Sequence, residues 1–173
     1  MVIACCDSRV NPSIIARAEP GELFVLRNVA NLAPPYDPDN CFQGTSAAIE
    51  YAVRDLNVGN IIVLGHSHCG GIRSLCDAQK GAESREFISG WMSIVEQARD
   101  DRLKGEERYR HVEREAIKVS LGNLLTFPWL RRRVEDGRVK LHGWWFDLEA
   151  GQLLAYGAGS GWKTVAGRSL ASE

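Results

Sequence analysis

The chain opens on an unbroken apolar run, Met1-Val2-Ile3-Ala4-Cys5-Cys6, and turns polar at Asp7-Ser8-Arg9. Apolar residues without alternation predict a strand buried on both faces. Asn11-Pro12-Ser13 reads as a helix start, with Pro12 at the first helical position and a short helix over residues 12–18. Glu19-Pro20-Gly21 ends it, and residues 22–27 form a second strand. Residues 31–44 hold three of the six prolines and read as a loop. Behind Thr45 or Ser46 as cap, Ala48, Ile49, Ala52, Val53 and Leu56 recur at helical spacing. Residues 61–64 are a third buried strand, running straight into Gly65-His66-Ser67-His68-Cys69-Gly70-Gly71.

After the glycines the pattern predicts a helix over 72–79, then a longer amphipathic one over 84–99 with Phe87, Ile88, Trp91, Ile94 and Val95 inward. Residues 100–107 are charged and expected on the surface. A helix over 110–125 follows, with Val112, Ala116, Val119 and Leu124 on one side. Thr126-Phe127-Pro128 breaks it and starts a short helix to residue 135. Residues 139–146 and 152–156 are strands joined by a hairpin, and the tail from residue 157 is small, polar and expected to be loose. Strand, helix, strand, helix, strand implies an α/β fold: a central, mostly parallel sheet flanked by helices on both faces. Ligands of such sheets gather at the carboxyl ends of the strands.

The 173 residues, 45% hydrophobic and 25% charged, make one domain with a real core. Twenty-one basic against 22 acidic residues leave a net charge of −1, which argues against nucleic acid as the main partner. The sequence has no run of 18 apolar residues to span a membrane and no charged-then-apolar leader, so a cytoplasmic location is expected. Five cysteines, two of them adjacent, make a poor disulfide framework and agree with a reducing compartment.

Two cysteine and histidine clusters fall at predicted strand ends. His66-x-x-Cys69 lets both side chains turn toward one ion from a tight loop. A cysteine from the end of the first strand adds a third ligand if the first and third strands are neighbours. Only one of Cys5 and Cys6 can face the site, because successive strand side chains point to opposite faces. Of His66 and His68, the latter abuts Cys69, which favours His66. Two thiolates and one imidazole suit zinc, and three ligands leave a tetrahedral position open, as catalytic sites do. Without that context each of these residues reads as ordinary core or turn. Gly65-His66-Ser67-His68-Cys69 falls short of a nucleophile elbow because position 69 is not glycine. No Cys-x5-Arg phosphatase motif and no phosphate-binding loop is present.

In order along the chain, Cys5-Cys6-Asp7-Ser8-Arg9, Pro20-Gly21-Glu22-Leu23-Phe24-Val25, Arg27-Asn28-Val29-Ala30-Asn31, Ala48-Ile49-Glu50-Tyr51-Ala52-Val53, Gly65-His66-Ser67-His68-Cys69-Gly70-Gly71, Ser120-Leu121-Gly122-Asn123-Leu124-Leu125 and Leu141-His142-Gly143-Trp144 resemble a β-class carbonic anhydrase, and Ala33-Pro34-Pro35-Tyr36 with Glu50-Tyr51 resembles its plant-like branch. The first motif matches that family's Cys-x-Asp-x-Arg and the fifth its His-x-x-Cys. The resemblance covers residues 2–156, so residues 1–156 are expected to be one catalytic domain and 157–173 a tail. It implies one zinc ion on Cys5, His66 and Cys69, an Asp7–Arg9 dyad, and a dimer or higher even oligomer. It implies the reversible hydration of CO2 to bicarbonate and a proton by attack of zinc-bound hydroxide (carbonate dehydratase, a zinc lyase). Asp7 would accept a hydrogen bond from that hydroxide, with Arg9 holding it; alternatively Asp7 itself binds zinc and closes the site.

Phe24 and Tyr51 match pocket positions and, with Val29, would make an apolar wall for CO2, while Gly70 and Gly71 would let the backbone approach the metal closely. Family members carry a helical arm ahead of the first strand, with a glutamine for the pocket; only four residues precede Cys5 here, so arm and glutamine are expected to be missing. Two other readings keep the zinc: a hydrolase of carbon disulfide or carbonyl sulfide on the same fold, and a non-catalytic zinc-binding or assembly domain. His68 is expected to be exposed, His111 and His142 structural, and Cys41 and Cys76 unligated thiols.

Overall fold

The computed structural model of the protein describes residues 1–40, 43–78 and 84–167. Its strands are β1 (Val2–Cys5), β2 (Val25–Asn28), β3 (Asn60–His66), β4 (Lys140–Asp147), β5 (Gln152–Gly157) and β6 (Gly161–Gly167). They form one sheet in the order β2-β1-β3-β4-β5-β6. The pairings from β2 to β4 are parallel and the last two antiparallel. The helices are α1 (Pro12–Ala16), α2 (Gly44–Arg54), α3 (Gly70–Asp77), α4 (Ile88–Met92), α5 (Gly105–Leu124) and α6 (Pro128–Glu135). No helix among the described residues is long and apolar enough to cross a membrane.

The strand order explains where the helices lie. The chain steps from β1 to β2 in one direction, then from β2 to β3 and β3 to β4 in the other. Right-handed crossovers travelling in opposite directions put their helices on opposite faces. Accordingly Ile3, Ile61 and Val63 pack with Ile49 and Ala52 of α2, Ile117 and Leu124 of α5, and Leu130 of α6. Among the described residues, the opposite face, built on Val2, Ala4 and Leu64, meets Ile15 of α1 with Val10, Leu23 and Leu148 from loops. Helices do flank both faces, but unequally. The direction reverses between β1 and β3, whose following loops part to opposite faces. That leaves a crevice at the carboxyl ends of these two strands.

Two glycines seat α5 on the sheet. A Cβ on Gly65 would fall 2.7 Å from Ile117 Cδ1, and one on Gly143 2.9 Å from Ile117 Cγ2. Ile117 therefore occupies a notch across β3 and β4 and brings Glu113, one turn earlier, onto the end of β3.

Local chemistry accounts for the ends of α1: the Asn11 side chain accepts the backbone N–H groups of Ser13 and Ile14, Pro12 opens the helix, and Arg17 turns left-handed to close it. Several elements depart from expectation. Residues 22–24 are not strand, because Glu22 turns back to bond Glu19. The helix expected over 84–99 breaks into α4 and a 3-10 segment, Ser93–Ala98, with Val95 off helical geometry. Phe87, expected inward, precedes α4 and is 85% exposed. Helix α5 starts at Gly105, earlier than its apolar stripe begins, in a stretch held by Arg73–Glu106 and Arg108–Asp77 ion pairs. Residues 161–167, expected in a loose tail, instead pair with β5 as β6, with Trp162 against Tyr156.

Candidate metal centre

Cys5 ends β1 and His66 ends β3; Ala4 lies opposite Leu64, so the two strand ends adjoin. Cys69 sits in the turn that caps α3. One ligand atom from each of Cys5, His66 and Cys69 lies within 4.8 Å of the others, and all three residues are buried. Strand alternation settles the choice between adjacent cysteines: Cys5 is buried and Cys6 exposed. The two sulfurs are 4.0 Å apart, close to the roughly 3.8 Å that two thiolates take on a tetrahedral zinc. The His66 Nδ1–H donates to the Ser67 carbonyl at 2.9 Å, which leaves Nε2 as the lone-pair nitrogen. That Nε2 is buried and has no hydrogen-bond partner among the described residues. A buried acceptor without a donor is costly, and a zinc ion is what this donor set fits.

The thiols are poised for metal. Cys5 gives up its proton well below the usual thiol range, first because the Cys69 thiol hydrogen-bonds the thiolate, against the cost of burial, with the N–H groups of Asp7 and Ala30 assisting. Cys69 then holds its own proton, first because that proton bonds the Cys5 thiolate, and further because burial and the neighbouring negative charge disfavour a second thiolate. A cation placed between them removes that penalty.

Asp7 lies just past Cys5, gripped by Arg9: Nε donates to Oδ1 at 2.9 Å and Nη2 to Oδ2 at 2.7 Å. This bond to Arg9 holds the carboxyl far below the ordinary carboxylate range. Arg9 also donates to the His68 carbonyl at 3.1 Å, joining the β1 loop to the β3 loop. Asp7 is thus turned to Arg9 rather than grouped with the three ligands.

The sequence profile of the carbonic anhydrase family matches residues 1–153. The chain belongs to the carbonic anhydrase family. Among its relatives, beta carbonic anhydrase 5, chloroplastic, of Arabidopsis thaliana is 40% identical over 154 residues, covering 86% of this chain and 50% of the relative. Beta carbonic anhydrase 3 of the same plant is 40% identical over 159 residues, covering 87% and 61%. The chain therefore spans between half and about three-fifths of the length of these curated relatives. Among solved structures, the beta-carbonic anhydrase CcaA superposes with a TM-score of 0.83 at 36% identity, covering 98% of this chain and 77% of that one. One of two tetrameric beta-carbonic anhydrases from Sordaria macrospora superposes at 0.80 with 28% identity, covering 91% and 79%.

Within this carbonic anhydrase fold the remaining expected residues divide. Val29 follows β2 beside the centre, its Cγ1 only 2.8 Å from where a Cβ on Gly71 would stand, so Gly71 must be glycine for α3 to approach. Gly70 has open space around it and meets no such demand. Phe24 and Tyr51 pair with each other at 5.9 Å between ring centres. They lie toward the opposite end of the sheet: Phe24 precedes Val25, which pairs with Val2, whereas the centre is level with the Cys5–Asn28 pair, about 10 Å along the strand. As an intrachain wall beside the centre, those two residues are ruled out by that register.

His68 is not simply exposed. Arg73 donates to its Nδ1 at 2.7 Å, and its Nε2 lies 3.2 Å from Glu149. His142 bonds Asn60 at 2.9 Å across β3 and β4, a structural role, and Cys76 is a buried free thiol. Cys41 lies outside the described residues.

Two residues of the centre were not singled out from sequence. Arg27 donates to the carbonyls of Cys5, Asp7 and Val10 at 2.9, 2.7 and 2.6 Å, clamping the loop that carries the dyad. Glu113 is 2% exposed, and its carboxylate accepts the Cys69 backbone N–H at 3.1 Å and the Trp145 indole N–H at 3.3 Å. The signal for Glu113 was legible: it is an acidic residue on the buried stripe of α5 with Ala116, Ile117 and Ser120.

Proposed function

We propose that this chain catalyses the reversible hydration of CO2 to bicarbonate and a proton, with zinc held by Cys5, His66 and Cys69. The buried three-ligand cluster with an unpartnered His66 Nε2, set beside the Asp7–Arg9 pair, carries the reading. Bound zinc supplies Lewis acidity and brings the pKa of a coordinated water to about 7. Asp7, kept ionised by Arg9, is an acceptor only and can take one proton of a reacting water in hydrogen bond, aiming its lone pair outward. Arg9 keeps Asp7 from turning to the metal as a fourth ligand. Val29, partly exposed just past β2, offers an apolar side chain suited to a nonpolar substrate.

Self-association belongs to the same proposal. Phe24 and the half-exposed Tyr51 sit away from their own centre and can serve a pocket only across an interface with a second copy. The tetrameric Sordaria macrospora proteins support an even oligomer. The four cysteines among the described residues form no disulfide, which suits a reducing compartment such as the cytoplasm.

Stopped-flow CO2 hydration by the zinc-loaded chain at about pH 8.5, where a water of pKa about 7 is mostly ionised, tests the reading. Zinc-dependent turnover well above buffer is expected. A folded, zinc-bound assembly with no turnover would overturn it.

A further inference from the structure

We infer that Glu113 is a positioning residue for the metal centre: it holds the Cys69 backbone so that the Cys69 sulfur faces Cys5 and His66, and it can do so only as a side chain with two acceptor oxygens. The inference rests on the proposed zinc reading and deepens it.

Cys69 is the weakly anchored ligand. Cys5 is fixed by the β1 ladder and by Arg27, and His66 by the β3–β4 ladder and its bond to Ser67. Cys69 lies beyond the end of β3, after His68 with its left-handed backbone, and no side chain of its own caps α3. Its N–H points inward, where a buried donor must find an acceptor. Glu113 Oε1 is that acceptor. The other oxygen, Oε2, takes the indole N–H of Trp145, which is fully buried on β4.

The chemistry of the two partners dictates the side chain. A backbone N–H and an indole N–H donate and never accept. A carboxylate offers an oxygen to each. A glutamine of the same shape offers one oxygen and one NH2, so one donor would face another donor in a dry site, which costs more than losing a hydrogen bond between exposed groups. Glu113 is held in place by Ile117 one turn away, wedged against Gly65 and Gly143, so α5 cannot easily shift to relieve the conflict.

The test is zinc affinity, read by competition with a chromophoric chelator, in wild type, Glu113→Gln, Trp145→Phe and the double variant. Circular dichroism of the zinc-free forms checks the fold. Removing a group that orients a metal ligand costs about 10- to 100-fold in affinity, and that loss is expected for Glu113→Gln. Trp145→Phe deletes the second donor, so the amide oxygen can turn to Cys69. In that background the glutamine is expected to cost less than about threefold. An unchanged affinity in Glu113→Gln, or an equal loss in both backgrounds, overturns the inference. Should the single variant not fold, the double variant decides against Trp145→Phe alone: near-equal affinity supports the role, and a tenfold loss overturns it. Wild type that binds no zinc would sink the metal reading itself, a separate result from wild-type binding with an indifferent Glu113→Gln.

Discussion

Replacing Gly71 with alanine probes how tightly α3 is drawn against the metal loop. The new Cβ would stand 2.8 Å from Val29 Cγ1, 3.2 Å from Ala30 Cβ and 3.4 Å from Met92 Sδ. Carbon atoms prefer about 3.5–4.0 Å, so the first contact is well inside the repulsive wall. The neighbours have little room: the Val29 carbonyl accepts the Trp91 indole at 2.8 Å, and Ala30 holds a left-handed backbone at φ 63°. Overpacking of this kind costs about 1–3 kcal/mol. Against it, alanine gains up to about 1 kcal/mol over glycine in a helix, less at the second position of α3. The net expectation is a loss of about 1–2 kcal/mol, or a melting temperature lower by about 2–8 °C for a chain of this size. Urea unfolding of Gly71→Ala, Val29→Ala and the double variant measures it. Removing the valine methyls should bring the alanine penalty below about 1 kcal/mol, a coupling normal for residues in contact. A Gly71→Ala protein as stable as wild type, or a penalty unchanged without Val29, would refute the close-approach argument.

Three further outcomes are expected. Cys5→Ser should lower zinc affinity more than the 10- to 100-fold of a residue that only orients a ligand, while the zinc-free form keeps its circular dichroism spectrum; collapse of the fold with the metal would favour a structural zinc domain. Asp7→Asn should lose stability relative to wild type at neutral pH. Because Arg9 depresses the Asp7 pKa below its ordinary 3.8, wild type's margin is fully present above that value and is lost progressively as the pH falls below it; a margin unchanged between pH 6 and pH 2.5 would contradict this. Arg27→Ala should speed amide exchange across residues 5–10, and Arg27→Lys should restore little, since one ammonium cannot reach three carbonyls as the guanidinium fork does; equal exchange in all three proteins would remove the clamp.

Much of the centre was legible along the chain because its chemistry sits in short motifs at the ends of strongly apolar strands. Cys5, Asp7 and Arg9 follow one such run and His66 and Cys69 another, and any parallel sheet brings strand ends to one side. The α/β class followed from the same alternation of elements. Tertiary structure alone decided which faces the helices take, because that depends on the direction of each crossover and not on local pattern. It also decided that Phe24 and Tyr51 lie at the far end of the sheet: residues 24 and 29 are near in sequence, but an extended strand carries them apart. Helix α5 ran ahead of its apolar stripe because ion pairs with α3 support its charged first turn, and β6 formed from a polar segment because β5 offered it an edge. Glu113 is the clearest case. Its place on a buried stripe marks it as unusual, but what it does depends on Cys69 and Trp145, brought to its two oxygens from the turn before α3 and from β4, far away in the chain.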